Sequence, residues 1–514
     1  MSSYTREEYI DNLLGRSGGN SKFHDEQLLY LNDMNNGNYS NPLRFSTKSW
    51  TDDWMLYPEM YVNIPFIAEG EGKTSAFVTA GFMTVDAGKK YTGKPADVFD
   101  KVKITNKNGL YSLINSLIVK LNGNTVQNST ELHLSNHFRA ITKWSNDYAS
   151  STGTLHNFSK DTAALNDASN LGFQERASIS NYKIDIVQGP PVGGVDAAAY
   201  NEALCKITVQ FEVNISLTIV SDFFNQLGMP LKNANFELSI GINGLDKISG
   251  NAQEWDGLAI DNVMATALLG GSQKMTLKIG GISPNCKLWC NKVIFMPNDA
   301  LELDAMLNKE GGMQKTIVWD DAQVVQNTHK SQETKLDMTV SQNIRRPLKV
   351  VSFFLPVAYV GGVEVSTKKE QHMAYPCVTN AGIRHELYGD ATPLGVGIVN
   401  ANLRVDGKKL FEENIDSPYQ FYQMFRDQTV AASDDKQLGS LVSYKEFQKL
   451  YNYYVFDLTK TSYKITDKPV VIEFLATKVN PANRTELFHI VTTESLTVLN
   501  FVDNNISTTS VAAN

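Results

Sequence analysis

Two tandem eight-stranded antiparallel sandwiches, in an all-β chain with short helices in its loops, are what the sequence predicts. Three observations lead there. Of 514 residues, 42% are hydrophobic and 20% charged, which suits packed cores and excludes general disorder. Asn, Ser, Thr and Gly are abundant and Glu/Lys/Ala runs scarce, a balance that makes strands joined by polar loops. One pattern also occurs twice: SLIVKLNGNTV at 116–126 and NANLRVDGKKL at 400–410. Each has an apolar extended run, a basic residue and an Asn/Asp-Gly pair, with Lys120 matching Arg404 and Gly123 matching Gly407. With sandwich domains of about 200–250 residues the length suggests two large domains, or else three to four smaller ones.

The elements follow in order. Thr5 and Glu8 form a capping box for a helix over 5–14 with Ile10, Leu13 and Leu14 on its apolar face, ended by Gly15. Up to residue 40 the chain is Asn/Gly-rich, so residues 1–40 are expected to be an arm outside the core. Strands are expected at 59–68, 74–85, 98–105 and 116–123, all β-branched or aromatic between turn residues. Residues 131–145 have helical spacing, with Leu134, Phe138 and Ile141 on one side. A long polar loop over 146–203 holds one extended piece, 181–188. Strand 204–220, a short helix 221–229 capped by Ser221, and strands 236–244, 274–281 and 287–296 follow.

Asp299 and Glu302 cap the segment PNDALELDAMLNKEGG, which Gly311-Gly312 end; this linker helix divides the chain. The boundaries are an arm at 1–40, a first sandwich at 41–297, the linker at 298–312 and a second sandwich at 313–514. Strands at 316–325, 334–343, 348–357 and 400–407 precede a helix at 417–428 capped by Asp416. Strands at 451–459, 469–477 and 494–502 close the set. Both halves thus have three strands, an Asn/Asp-Gly strand, a Phe-Arg helix (Phe138-Arg139, Phe425-Arg426) and three more strands. Asn-Gly and Asp-Gly supply positive φ at low cost, so each strand can turn tightly there. Each half therefore reads as a jelly roll of two Greek keys, and the pair as a duplication.

Net charge is −8 and the pI near 5.6, which suits a phosphate backbone poorly; no direct nucleic-acid binding is expected. The four cysteines, Cys205, Cys286, Cys290 and Cys377, form no disulfide framework. Cys286 and Cys290 lack the two further ligands that zinc needs, and are expected as free thiols at opposite ends of a strand segment. The N-terminus has no apolar signal core, and the longest apolar stretch, Val350 to Val363, contains Pro356 and is too short for a bilayer. No membrane span is expected, and the chain is expected to be soluble, made in a reducing compartment and unglycosylated.

Chemistry-bearing motifs are sparse. His133 and His137 have the i, i+4 spacing of a zinc pair but no Glu after His133; they are expected as half-exposed helix residues. HELYG at 385–389 lacks a second His, and GPPVGG at 189–194 breaks a loop rather than cradling phosphate. Asp320 and Asp321 in WDDAQ neighbour each other on a strand and so point to opposite faces. Asp52-Asp53, between Trp50 and Trp54, is the patch most like a sugar site, where paired carboxylates about 5–10 Å apart would be needed. No residue is assigned a catalytic, cofactor-binding or metal-binding role, no cofactor is expected, and the chain is read as a non-enzyme.

The segments FDKVKITNKNGLYSLINSLIVKLNGNTV (99–126), GIVNANLRVDGKKLF (397–411) and YKEFQKLYNYYVFDLT (444–459) carry a family resemblance. Over roughly residues 45–505 the chain resembles the double jelly-roll major capsid proteins of icosahedral double-stranded DNA viruses, most of all the polinton-like virus and virophage type. The resemblance implies a homotrimer forming a pseudo-hexameric capsomer, in which three chains present six near-equivalent lobes. It further implies contacts with neighbouring capsomers, penton and minor capsid proteins, and a place in the virion capsid after assembly in the host cell. The competing expectation is a two-domain β-sandwich protein that binds or cleaves carbohydrate.

Overall fold

Strict alternation in LCKITVQFEVNIS sends Cys205, Ile207, Val209, Phe211, Val213 and Ile215 to one side of a strand and their neighbours to the other. The same period builds the strands of both halves of the chain. The computed structural model describes residues 23–35, 41–106, 109–162, 170–179, 183–243, 258–260, 267–268, 276–280, 285–307, 313–329, 334–355, 359–360, 363–364, 398–429, 440–451, 453–465, 468–478, 485–502 and 505–511.

Roll one comprises β1 (Phe23–Asn32), β2 (Leu43–Ser46), β3 (Tyr61–Lys73), β4 (Ile114–Leu121), β5 (Asn124–Ser129), β6 (Lys183–Gln188), β7 (Leu204–Ser216), β8 (Phe236–Ile242) and β9 (Lys287–Phe295). One sheet runs β1-β9-β3-β7-β6 and the other β2-β8-β4-β5, with every pair antiparallel. Roll two comprises β10 (Met313–His329), β11 (Lys335–Ile344), β12 (Pro347–Leu355), β13 (Ile398–Val405), β14 (Lys408–Lys409), β15 (Tyr454–Asp457), β16 (Val470–Lys478) and β17 (Thr485–Val502). Its sheets run β10-β17-β12-β15 and β11-β16-β13-β14. With the accessory β6 set aside, and with it the short strands Trp54–Met55 and Thr276–Ile279 that pair with β9 and β3 in the same sheet, the order is the same in both: first-eighth-third-sixth faces second-seventh-fourth-fifth. Two jelly rolls of one topology stand in tandem. A last strand, β18 (Asn505–Val511), folds back along β17.

The core of roll one lies between its sheets, where Ile64, Phe66, Ile207 and Leu288 meet Leu117, Val119, Leu238 and Ile240. Six helices matter below: α1 (Leu132–Lys143), α2 (Leu171–Ile179), α3 (Asp222–Leu227), α4 (Pro297–Leu307, between the rolls in sequence), α5 (Pro418–Arg426) and α6 (Tyr444–Lys449). α1 and α5 occupy the same place, between the fifth and sixth strands of their rolls.

The repeated turn has a shared structural task. Asn122 and Gly123 have φ of 49° and 85°, and Asp406 and Gly407 have 48° and 77°, so both turns use two left-handed residues. In roll one the Asn122 N–H donates to the Asn235 carbonyl (2.9 Å), and the Asn235 N–H donates to Asn122 Oδ1 (2.7 Å). In roll two the Asp406 N–H donates to the Val471 carbonyl (2.9 Å), and the Val471 N–H to Asp406 Oδ1 (2.8 Å). Each turn thus staples the fourth and fifth strands to the start of the seventh. Asn122 does more, because its amide Nδ2 also donates to the carbonyls of Asn233 (3.1 Å) and Ile506 (2.7 Å). A carboxylate there would face two acceptors with no proton to give. Asn122→Asp is therefore expected to cost about 1–3 kcal/mol, whereas Asp406→Asn keeps its acceptor and should cost less than about 1 kcal/mol. Paired urea unfolding curves check this.

Several expectations need correction. The arm expected over 1–40 does not include residues 23–32, because Phe23–Asn32 pairs with β9 and packs Leu29 and Leu31 on the core; residues 1–22 lie outside the described residues. The polar start of β1, FHDEQ, hides the alternation. Residues 74–85 are not a strand: Thr74–Thr79 is helical and only Thr84–Val85 is extended. The Thr74 N–H and hydroxyl both bond the Ala203 carbonyl, and the helical turn sets Phe77 edge-on to Phe82 in the core, so packing overrides β propensity. Residues 98–105 divide into a helical turn, Val98–Lys101, and a short strand, Ile104–Asn106. Strand 204–220 ends at Ser216, whose Oγ accepts from the Thr218 N–H and starts a helix over Leu217–Val220. Asp416 does not cap α5: Ser417 stands at that position. Ser221 precedes α3 without a side-chain cap bond; its hydroxyl instead donates to Gln127 Oε1 (2.5 Å). The helix expected at 5–14, the HELYG segment and Cys377 lie outside the described residues.

Candidate functional site

The seam between the rolls concentrates the buried polar and aromatic groups. α1 is enclosed there, with ten of its twelve residues buried. His133 and His137, expected to be half exposed, are buried within it. The His137 ring stacks on Tyr451 of roll two (centroids 6.2 Å apart), and its Nδ1 lies 3.1 Å from the Tyr111 hydroxyl. Phe138 meets Tyr453 (5.3 Å) and Phe425 (6.3 Å), both of roll two, edge to face.

Polar clasps flank this cluster. Asp161 and Arg176 form an ion pair of 2.7 Å with both side chains fully buried. Arg176 also donates to the carbonyls of Asn106 and Ser159, and Asn170 Nδ2 donates to Asp161 Oδ1 (2.9 Å). The Tyr451 hydroxyl of roll two donates to the Asp161 carbonyl (2.9 Å). Lys160 pairs with Glu446 of α6 (2.8 Å) and donates to the Leu441 carbonyl (2.6 Å). At the other end, β18 lies on the Asn122 turn, where Asn124 Nδ2 donates to the Thr508 carbonyl (3.2 Å). The long loop at 146–203 therefore has a purpose in the fold: it ties one roll to the other through Lys160 and through Asp161, which Arg176 of α2 holds in place.

Between α1, α3 and the β10-β17-β12 sheet lies a cavity of about 560 Å³, lined by Arg139, Lys143, Asp222, Asp320 and Lys349 among others. Arg139 pairs with Asp222 (3.1 Å), which accepts from the Asp320 N–H of roll two (3.0 Å). Burial pulls the Lys349 ammonium down to about 8, and its nitrogen stands 5.8 Å from the Phe138 ring centroid. Burial raises the Asp320 carboxyl as well. Asp321 points away from this space and accepts from Ser129 Oγ of β5 (3.0 Å). Arg139 and Asp222 both belong to roll one, and the bond that crosses the seam here is the one Asp222 accepts from the Asp320 N–H, which makes Asp222 a fastener.

The other motifs resolve as structure. Asp53 pairs with Lys292 (2.7 Å), while Trp50 and Trp54 are buried, Trp54 edge-on to Phe295, so no sugar-facing patch forms there. Cys286 and Cys290 are both buried, and Cys205 lies 3.1 Å from the Thr74 hydroxyl. Among the described residues no group of three His, Cys, Asp or Glu could hold a metal ion, and no helix is long and apolar enough to cross a membrane.

Burial holds His137 and His489 at about 3, for His137 with help from the Arg176 charge, against about 6.5 when unfolded. Between those values the unfolded chain takes up protons that the native state refuses. Stability should therefore fall as pH drops from about 6.5 towards 3. Asp321, raised by burial to about 6, acts the other way between about 6 and 4 and offsets part of the loss. His137→Gln should flatten the decline by up to about one proton in the slope, read from unfolding midpoints across pH.

Among the described residues, the open surfaces include these two. On the outer face of the β1-β9-β3 sheet, Tyr30, Trp289 and Tyr61 stand in register across adjacent strands, with ring centroids 4.9 and 6.2 Å apart. Lys287 Nζ lies 4.9 Å from the Tyr30 ring, and Leu28 is exposed beside it. On roll two, α5 buries only Pro418, Phe421 and Phe425 of its nine residues, leaving Tyr419 exposed next to Tyr444 of α6.

Twin rolls of one topology, fixed to each other along a seam, define a double jelly-roll protein. The chain is similar to a chain in the cryo-EM structure of the Sputnik virophage, with a TM-score of 0.54 and 12% identity, covering 96% of this chain and 90% of that one. It is similar too to the mavirus major capsid protein, with a TM-score of 0.50 and 12% identity, covering 94% and 90%. No protein-family model and no curated protein matched the chain. At this identity the likeness establishes the fold.

Proposed function

We propose that this chain is a major capsid protein that self-assembles as a trimer, a pseudo-hexameric block tiling an icosahedral viral shell. One observation carries the reading: two rolls of identical strand order are locked side by side, so three chains supply six like lobes for a closed ring. The likeness to the mavirus major capsid protein supports it. The role is structural rather than catalytic, and its setting is the virion, with neighbouring capsomers, penton and minor capsid proteins as partners. With a net charge of −8, contacts to the genome would fall to other proteins.

Size-exclusion chromatography with light scattering tests this. The expected species has about three times the 57.1 kDa of one chain and appears hexagonal in negative stain. A monodisperse monomer at micromolar concentration would overturn the reading. Tight DNA binding by the isolated trimer at physiological salt would overturn the genome-contact statement.

A further inference from the structure

The seam cavity holds more positive charge than its own walls answer. Arg139 and Lys143 stand four residues apart on α1, and so on one face of it. The β10-β17-β12 sheet of roll two supplies the opposite wall. Lys349 is in register with Thr492, and Thr492 with Ala322; Asp320 and Val318 follow at two-residue steps along β10 and so face the same way. Asp222 pairs with Arg139, and Glu494, two residues on from Thr492, pairs with Arg346 (3.6 Å). Among the described residues, that leaves the amines of Lys143 and Lys349 without an ion-pair partner, against the single carboxylate of Asp320. Burial is the main cause that draws Lys349 down to about 8, and the Lys143 charge is the next, so the two amines act on each other across the seam. A sheltered ammonium without a counter-charge is costly, and a second one facing it adds to the cost. In a chain of net charge −8 such a cationic hollow is an exception.

We propose that this cavity binds an organic phosphate, a phosphate monoester whose oxygens bridge Lys143 of roll one and Lys349 of roll two. Lysine suits the task, because its ammonium is a compact point charge with three donors that phosphate oxygens can take up from several directions. The volume argues for an ester rather than a bare ion. About 560 Å³ falls within the span of small-molecule pockets, roughly 300–1,000 Å³. Apolar surface for a carbon body lies on the same wall: Val318 is 50% exposed and Ala322 is half-buried. The Asp320 carboxylate repels the phosphate and tempers its affinity. The bound ester supplies the counter-charge that the walls lack and fills a gap in the seam, so it links the two rolls of one chain. The site lies within a single chain. It therefore goes beyond the capsid reading and stands whether or not the chain forms trimers.

Calorimetric titration and thermal unfolding of the full chain with adenosine monophosphate, at matched ionic strength, test this. The expected result is saturable binding and a melting temperature that climbs with ligand concentration. Lys143→Met and Lys349→Met should each weaken binding by about tenfold, the loss of one charge-assisted hydrogen bond. Asp320→Asn should tighten it, a gain that no loss of folding can imitate. Inorganic phosphate should bind more weakly than the ester, and adenosine should not bind. The proposal is overturned if adenosine monophosphate shows no saturable binding at millimolar concentration, or if it binds both lysine variants as it binds the wild type. Adenosine binding as well as its phosphate would likewise sink it. Inorganic phosphate matching the ester in affinity would overturn the ester assignment in favour of free phosphate.

Discussion

Replacing Arg176 by alanine is expected to lower the stability of the chain by about 3–5 kcal/mol, read as a drop in the urea midpoint at pH 7. The guanidinium and the Asp161 carboxylate are both fully buried. Removing one partner leaves the other's charge in the interior without compensation. The cost extends past the pair, since Arg176 also holds the carbonyls of Asn106 and Ser159, and Asp161's own carbonyl is the acceptor for Tyr451 of roll two. Replacing both together, Arg176→Met with Asp161→Leu, should cost much less than the single alanine, because burying apolar side chains in that space strands no charge. A double change as costly as Arg176→Ala alone would show that the hydrogen bonds to the carbonyls, rather than the stranded charge, carry the effect.

Phe138→Ala should have a comparable effect of about 3–5 kcal/mol, but of a different kind. The ring joins α1 of roll one to Tyr453 and Phe425 of roll two and carries the Lys349 ammonium near its face. Truncating it opens a void in the seam and leaves both cores intact. The expected readout is a split of the unfolding transition in calorimetry, the two rolls melting separately where the wild type melts as one. A single transition moved to lower temperature would mean that the clasps at Lys160, Asp161 and β18 suffice for coupling.

The sequence reveals the parts whose physics is local. The alternation from Leu204 to Ser216 marks β7, the spacing of Leu134, Phe138 and Ile141 marks α1, and the paired Asn/Asp-Gly turns mark the duplication. Counting only the eight strands that the two rolls share, three precede each turn, and in roll one they are β1, β2 and β3 rather than those at 74–85 and 98–105; further short strands, such as Ile104–Asn106, also precede it. What stayed hidden was non-local. β5 is NTVQNS and β14 only Lys408–Lys409, polar strands whose extension comes from pairing with a neighbour. His137 looks like a surface residue until roll two covers α1. No pattern in the sequence announces the Asp161–Arg176 pair, because an Asp and an Arg fifteen positions apart become partners only when the intervening chain folds back on itself.

The pairing of β1 with β9 has a temporal consequence for the cell. Asp25 lies opposite Ile294, so β1, once it emerges from a ribosome, must wait for the last strand of its own roll. At about 5–20 residues per second, that wait is about 13–54 s. For that long, the partner edge of β3 and the apolar side of β1 have no native mate. Chains crowded on one messenger during a burst of synthesis would meet one another's unpaired edges, so the yield of folded chain should depend on holdase supply and on translation speed as well as on final stability.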